Sequence, residues 1–493
     1  MSEDVRYSPG RAVSEAQVGH WDMETDVLVV GFGAAGACAA IEARNAGADV
    51  VVLEVAGAGG GSAALSGGEV YVGGNGGTDV QREHGFSDST DDLRRYLMMS
   101  GGPAADAERV DVYAENAVQH FNWLRALGVP FKGTYLPGKW IEPPTDDTLL
   151  WSGNEKAWPW SAEAQPAPRG HTVQFTGWGG GQLLMKVLCD QAVALGAQLH
   201  CNSRALALVI GEHRRVVGVV ARQDGQIRYL RARRGVILCA GGFICNADMV
   251  RRFVPSALDC QLPVTGGNDD GSGIRMGISV GAATLNMQEF FATLPFFPPA
   301  SLVKGIFVNG HGQRFVNEDS YHGRVAHAVL RQSQGRAWLL VDNEIFGRPI
   351  LQEDVEIAAV GESWEEVEQE LGLPAGALVH TVEEFNRYAA AGEDPHFHKS
   401  EEWLRPLTEP PFAALSYCKG DFQAHAFTLG GLATKPTGEV LDADGETITG
   451  LYAAGRTACG LPRWGEGYSS GLSLGDSTFF GRMAGRSAAA LSS

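Results

Sequence analysis

Long apolar runs, positive charge and paired cysteines are all scarce in this chain of 493 residues. No run of 18 apolar residues occurs, and the N-terminal stretch lacks the apolar centre of a signal peptide. Neither a membrane-spanning helix nor a secretory leader is expected. Lys and Arg total 39 against 58 Asp and Glu, a formal net charge of −19. That balance argues against nucleic acid or an anionic membrane as a partner. The eight cysteines, at 38, 189, 201, 239, 245, 260, 418 and 459, include no C-x-x-C pair. They read as buried thiols in a reducing compartment, and the chain as soluble and cytoplasmic. His171, His322, His327 and His425 are potential acid–bases. No His, Cys and carboxylate cluster has ligand spacing, so no metal is expected.

Glycine, by contrast, is abundant: 65 residues, gathered in motifs. The segment Asp26 to Glu54, DVLVVGFGAAGACAAIEARNAGADVVVLE, organises the rest. Val27–Val30 is an apolar strand that runs into Gly31, Gly33 and Gly36 in G-x-G-x-x-G spacing. A helix follows over Ala34 to Asn45, then a strand at Val50–Leu53 closed by Glu54, 18 residues after the last glycine. This is a dinucleotide fingerprint. Gly31 makes the turn, Gly33 lets backbone approach a pyrophosphate, Gly36 packs helix on strand, and the acid reaches a ribose. The turn alone serves FAD and NAD alike.

Residues before 22 read as a polar arm, and the glycine-rich stretch after Glu54 as an extended loop. Helices are expected near Ser89–Ser100, Ala105–Leu127 and Gly181–Leu195. Residues 130–180 look irregular, and their five tryptophans (140, 151, 158, 160, 178) are either a cleft wall or packing beneath a loop. Gln198–Ile210, Arg215–Gln223 and Ile227–Ala232 alternate like an antiparallel meander. A separate strand, Val236–Cys239, then ends at Ala240-Gly241-Gly242, a glycine pair suited to a second cofactor contact. Asp270-Gly271 opens a helix. From about 286 the character changes. Phe290, Phe291, Phe296 and Phe297 cluster with Pro298 and Pro299, lining a pocket or filling a core, before a hairpin-like IFVNGHGQRFVNE. Further helices are expected near Ser363–Leu371, Thr381–Ala391 and Ser473–Leu491. The fold class is α/β: a Rossmann-like doubly wound domain (1–285 and 415–493) with an inserted α+β cap (286–414).

In this order, GGSAALSGG (60–68), GVILCAGGF, NDDGSGIRMGISVGA, GIFVNGHGQRFVNE, TLGGL, GLYAAG and GLSLGDSTFFGRMAG resemble the flavoprotein family of fumarate reductases and 3-ketosteroid dehydrogenases, from Asp26 to Ala490. The resemblance implies FAD, held non-covalently. Its expected contacts are Gly31, Gly33, Ala34, Ala35, Gly36 and Glu54, then Gly61, Ser62, Ser66, Gly67 and Gly68 of the loop. Ala205, Ala240, Gly241, Gly242 and Asp270 follow, with Gly455, Arg456, Gly471, Leu472, Ser473 and Leu474 at the C-terminal end. Within the family, Tyr468, Ser470 and Tyr321 are similar to the set of the Δ4-(5α)-ketosteroid dehydrogenases. The implied substrate is a small apolar ketone, a steroid; the electron acceptor and oligomeric state are not specified.

That resemblance implies loss of a proton from the carbon beside the ketone and of hydride from the next carbon to the flavin. Tyr468 is expected to stabilise the ketone oxygen, Ser470 to take the proton and Tyr321 to relay it. A tyrosine of pKa about 10 makes a rate that rises above neutral pH the expected result. The alternatives are a Δ1-dehydrogenase, a fumarate- or urocanate-type reductase, and a flavin-carrying sensor without turnover. The reductase needs a carboxylate-binding arginine, so Arg169, Arg324 or Arg463 would have to reach the flavin.

Overall fold

A computed structural model describes residues 7–141, 143–352 and 354–491. Its centre is a parallel array: strand Met23–Val30 lies between Val50–Leu53 and Gln226–Leu238, and Gln198–His200 extends the array beyond Val50–Leu53. These strands are buried on both faces, so they read as continuous apolar runs rather than alternating ones. Leu28, Val30, Val51 and Leu53 enter one hydrophobic cluster, and Val27, Val29, Val50 and Val52 the other. Helices Ala34–Asn45, Gly180–Ala194 and Leu472–Ala490 feed the second cluster, whereas Ala247–Phe253 and Ser272–Ser279 feed the first. This is the doubly wound arrangement. Two helices meet at close range: β-carbons added at Gly481 and Gly485 would lie 2.4 and 2.2 Å from the carbonyl oxygens of Ala35 and Ala39.

Gln226–Leu238 is one strand of 13 residues, not a meander arm followed by a separate strand. Its first half pairs antiparallel with Val216–Gln223, and its second half parallel with Thr447–Ala453. A register shift between Ala232 and Gly235 marks the change of partner. The polar arm also departs from expectation: Val13–Ser14 pairs parallel with the end of Ser203–Ile210, and residues 1–6 lie outside the described residues.

The stretch 130–180 is less irregular than its composition suggests. Glu69–Tyr71, Gly170–Thr172, Leu149–Trp151 and Tyr135–Lys139 form a four-stranded sheet, in that order. The strands are three to five residues long, and Glu69–Tyr71 finds Gly170–Thr172 across about a hundred residues, so no local periodicity reveals them. Beyond residue 300, a second four-stranded sheet joins Ile306–Asn309, Ala337–Val341, Phe412–Ser416 and Ile357–Gly361, all antiparallel. The helices between its strands begin at His322, Trp364 and Ala377.

All eight cysteines are free, but the buried-thiol reading holds only for Cys38, Cys239 and Cys459; Cys245 is exposed. Among the described residues no helix is long and apolar enough to cross a membrane, and no group of three potential ligands is placed to hold a metal.

Candidate active site

The C-terminal ends of Met23–Val30, Val50–Leu53 and Gln226–Leu238 open into a cavity of about 920 Å³. Ligands of open α/β sheets bind at such ends. At its floor Gly31 takes φ +99°, and a β-carbon there would lie 2.3 Å from the Cys239 carbonyl oxygen. Helix Ala34–Asn45 starts at Gly33 with no side-chain cap, so its first N–H groups face the cavity beside Ala34 and Ala35. Free N–H groups and the positive end of the helix dipole suit a pyrophosphate. Glu54 is buried, accepting from the Phe32 and Ala56 N–H groups at 2.7 and 2.8 Å.

Gly61, Ser62, Ser66, Gly67, Ala205, Ala240, Gly241, Gly455, Arg456, Gly471, Ser473 and Leu474 also line this cavity. Gly36, Gly68, Gly242, Asp270 and Leu472 do not. Gly36 lies behind the turn, where a β-carbon would meet the Gly31 carbonyl oxygen at 2.0 Å, and Gly68 backs onto Gly180. Asp270 instead pairs with Arg204 at 2.7 Å. Its neighbour Asp269 faces inward. It accepts from the Gly242 N–H at 3.2 Å and from Ser62 Oγ at 3.3 Å, and it pairs with Arg456 at 2.7 Å. One carboxylate thus ties together three loops far apart in sequence. The Asp269-Asp270 doublet marks the turn, but only backbone direction decides which acid points in. Arg456 Nη1 is buried without a partner, a donor left for a ligand.

The other end of the cavity is aromatic. The Phe291 ring lies tilted against Tyr468 and Phe427, with centroids 4.5 and 4.9 Å apart, and Tyr321 lies 6.2 Å from Tyr468. The Tyr321 hydroxyl and Ser470 Oγ are 2.9 Å apart. Tyr468 donates to Ser473 Oγ at 2.9 Å, at the start of the last helix. Fixed neighbours hold these side chains. Asn154 Oδ1 accepts from the Tyr321 N–H at 2.8 Å, and Ser470 N–H donates to the Ser152 carbonyl at 3.0 Å. Ahead of Tyr321, buried Glu318 pairs with Arg314 at 2.7 Å and Lys399 at 3.2 Å. The hairpin-like segment therefore enters the site on a rigid anchor.

Burial pushes the Tyr468 hydroxyl up to about 12 and Tyr321 well above its ordinary value. Desolvation disfavours the phenolate, so ionisation of these tyrosines falls well above neutral pH. Burial also lowers the histidines, His322 and His327 to about 3 and His171 to about 4, so they are neutral. His322 and His425 line the cavity, but His171 is bonded to Thr78 and His327 accepts from the Ala292 N–H.

The three arginines considered for a carboxylate-binding reductase point elsewhere. Arg169 is buried against Asp88, Arg463 pairs with Asp106, and Arg324 faces Glu466. Of the five tryptophans only Trp178 lines the cavity, and Trp160 is a core residue. The phenylalanine cluster divides: Phe291 lines the cavity, while Phe296 and Phe297 fill the core. Glu69, which the sequence does not single out, also lines it; its strand is too short to announce its face.

The profile of the FAD binding domain family matches residues 26–472. A crystal structure of the 3-ketosteroid-Δ4-(5α)-dehydrogenase of Rhodococcus jostii RHA1, in complex with 4-androstene-3,17-dione, is 42% identical with a TM-score of 0.92. That match covers 97% of this chain and 99% of the other. The 3-oxo-5-alpha-steroid 4-dehydrogenase of Comamonas testosteroni is 29% identical over 90% of this chain and 94% of its own. A probable fumarate reductase of Shewanella frigidimarina is 28% identical over 94% of this chain and 75% of its own.

Proposed function

Because the chain belongs to the FAD-binding family that contains fumarate reductases and 3-ketosteroid dehydrogenases, we propose that it desaturates a 3-ketosteroid between C4 and C5. It is an FAD-dependent oxidoreductase. The observation that carries the finer reading is the Tyr321–Ser470 hydroxyl pair at 2.9 Å, beside Tyr468 in one aromatic cavity. The matches to Δ4-(5α) dehydrogenases support it.

Gly31, Gly33, Ala34 and Ala35 would hold the pyrophosphate of FAD, Glu54 a ribose, and Arg456 and the start of the last helix its remaining polar groups. When bound, FAD supplies a two-electron acceptor for hydride. The chain's own residues do the rest. Phe291 and Phe427 exclude water from the apolar rings of the substrate. Tyr468 turns its O–H from Ser473 to the ketone oxygen, where negative charge builds as the neighbouring carbon loses its proton; a fixed donor acts most strongly there. Ser470 Oγ takes that proton, held by the Tyr321 hydroxyl. Residues 286–414 act as the substrate-covering unit, a reading supported by an antiparallel sheet that falls in this stretch apart from the end of its strand Phe412–Ser416, and by Tyr321 and Phe291 reaching the cavity from it.

The test is anaerobic mixing of the yellow protein with 5α-androstane-3,17-dione, following flavin bleaching and identifying the product. A 4-ene-3-ketone is expected. A 1-ene product would move the reaction to the other side of the ketone. Failure to bleach, with reduced flavin reoxidised by an unsaturated acid, would make the protein a reductase.

A further inference from the structure

The proton taken by Ser470 needs a resting place; Tyr321 is placed to pass it on but not to keep it. Its hydroxyl meets Ser470 Oγ, and burial holds it as a neutral phenol. A buried carboxyl that the mechanism has not used lies in the same cavity. Glu69 sits on the short strand Glu69–Tyr71, 6% exposed, and lines the cavity. Its Oε1 has no hydrogen-bond partner. It packs on the residue after the serine: a β-carbon at Gly471 would lie 3.1 Å from Glu69 Cγ. Across the sheet, a β-carbon at Gly170 would lie 2.3 Å from Glu69 Oε1 and 2.6 Å from Ser152 Oγ. The missing side chain of Gly170 lets the carboxyl and the Ser152 hydroxyl converge. Ser152 in turn donates to the Ser470 carbonyl at 3.3 Å.

We propose that Glu69 is a positioning residue of this site, the acceptor on which the proton removed by Ser470 comes to rest, one hydroxyl or water away. The inference rests on the steroid-desaturase reading. The step balances. The C–H bond beside the ketone breaks, its proton goes to Ser470 Oγ, and the serine's own O–H proton passes through Ser152 or one water to the Glu69 carboxylate. The C–H electron pair becomes the new C–C π bond as the β hydrogen departs with its pair, for which FAD, when bound, would be the two-electron acceptor. Glu69 ends as a neutral acid.

The surroundings give this carboxyl the right range. Burial pushes it up to about 8, with the Ser152 hydroxyl opposing and the Glu155 carboxylate adding to the rise. Tyr321 and Tyr468, the other titratable groups facing it, stay neutral. Arg169, just before the neighbouring strand, is held by Asp88 through bonds of 2.8 and 2.7 Å. A carboxyl so placed is mostly protonated at neutral pH and becomes a base just above it.

The experiment measures anaerobic flavin bleaching by 5α-androstane-3,17-dione from about pH 6 to about pH 10. Wild type, Glu69→Gln and Glu69→Asp are compared, and carboxyl infrared bands of the flavin-loaded protein are followed over the same range. The wild-type rate should rise roughly tenfold per pH unit and level off above about 8. Glu69→Gln should bind flavin and steroid, lose that rise, and bleach about 100-fold slower on the plateau. Glu69→Asp should keep the rise at a lower rate. A protonated-carboxyl band that titrates near 8 in wild type should be missing from Glu69→Gln. Bleaching with the same pH profile in wild type and Glu69→Gln, or a wild type without the titrating band, overturns the relay alone. A wild type that does not bleach at any pH overturns the desaturase reading, and the relay with it.

Discussion

Tyr468→Phe separates chemistry from packing at a single atom. The ring stays, with its contacts to Phe291 at 4.5 Å and Phe427 at 5.6 Å. What leaves is a hydroxyl that donates to Ser473 Oγ at 2.9 Å and accepts from the Ser473 N–H at 3.4 Å. Loss of that hydrogen bond is worth about 1 kcal/mol of stability, small against a typical total of about 5–15 kcal/mol. Folding and flavin content should therefore be nearly unchanged. The rate should not be. Removing one donor to a developing oxyanion typically slows a reaction by about 100- to 1000-fold, or roughly 2.7–4 kcal/mol of barrier. Because the charge exists mainly in the transition state, the loss should fall on the rate at saturating ketone rather than on its binding. Stopped-flow bleaching at several steroid concentrations measures both. A loss of less than about tenfold, some 1.4 kcal/mol, or a loss carried entirely by weaker binding, would refute the oxyanion role.

Gly31→Ala should abolish flavin retention in a purified protein, because the turn combines φ +99° with a β-carbon 2.3 Å from the Cys239 carbonyl oxygen. Backbone strain of about 1–2 kcal/mol adds to overpacking of about 1–3 kcal/mol, so the flavin-to-protein absorbance ratio should collapse. Asp88→Ala leaves the fully buried Arg169 guanidinium without its partner and should cost about 3–5 kcal/mol, read as a lowered denaturation midpoint. Glu69 gives a pH test independent of turnover. Its native value of about 8 lies above the ordinary 4.5, so between these limits the native state holds a proton that the unfolded state has lost. Stability then falls as pH rises, by about 1.4 kcal/mol per unit. Glu69→Gln should remove this slope, and its advantage over wild type in denaturation midpoint should widen from about pH 5 to about pH 8. An equal difference at both ends would refute the raised carboxyl.

The sequence by itself determined the nucleotide-binding end. The strand, G-x-G-x-x-G turn, helix and Glu54 lie within 29 consecutive residues, where backbone geometry follows from glycine placement and local periodicity. Gly31, Gly33 and Glu54 accordingly line the cavity. The pairing of Tyr321 with Ser470 was also legible, though only through likeness to a family, since 149 residues separate them. Tertiary structure alone decided what surrounds them. Asp269 rather than Asp270 faces inward, held there by the Gly242 N–H, Ser62 and Arg456 from segments distant in sequence. Glu69 enters the cavity because a three-residue strand pairs with Gly170–Thr172 a hundred residues away, and so short a strand has no readable face. Burial, a property of the packed whole, then keeps the tyrosines neutral and raises a carboxyl into the range where a base is useful. Residue identity names the groups available for chemistry; the low-dielectric cavity formed by distant segments sets which of them carries a proton.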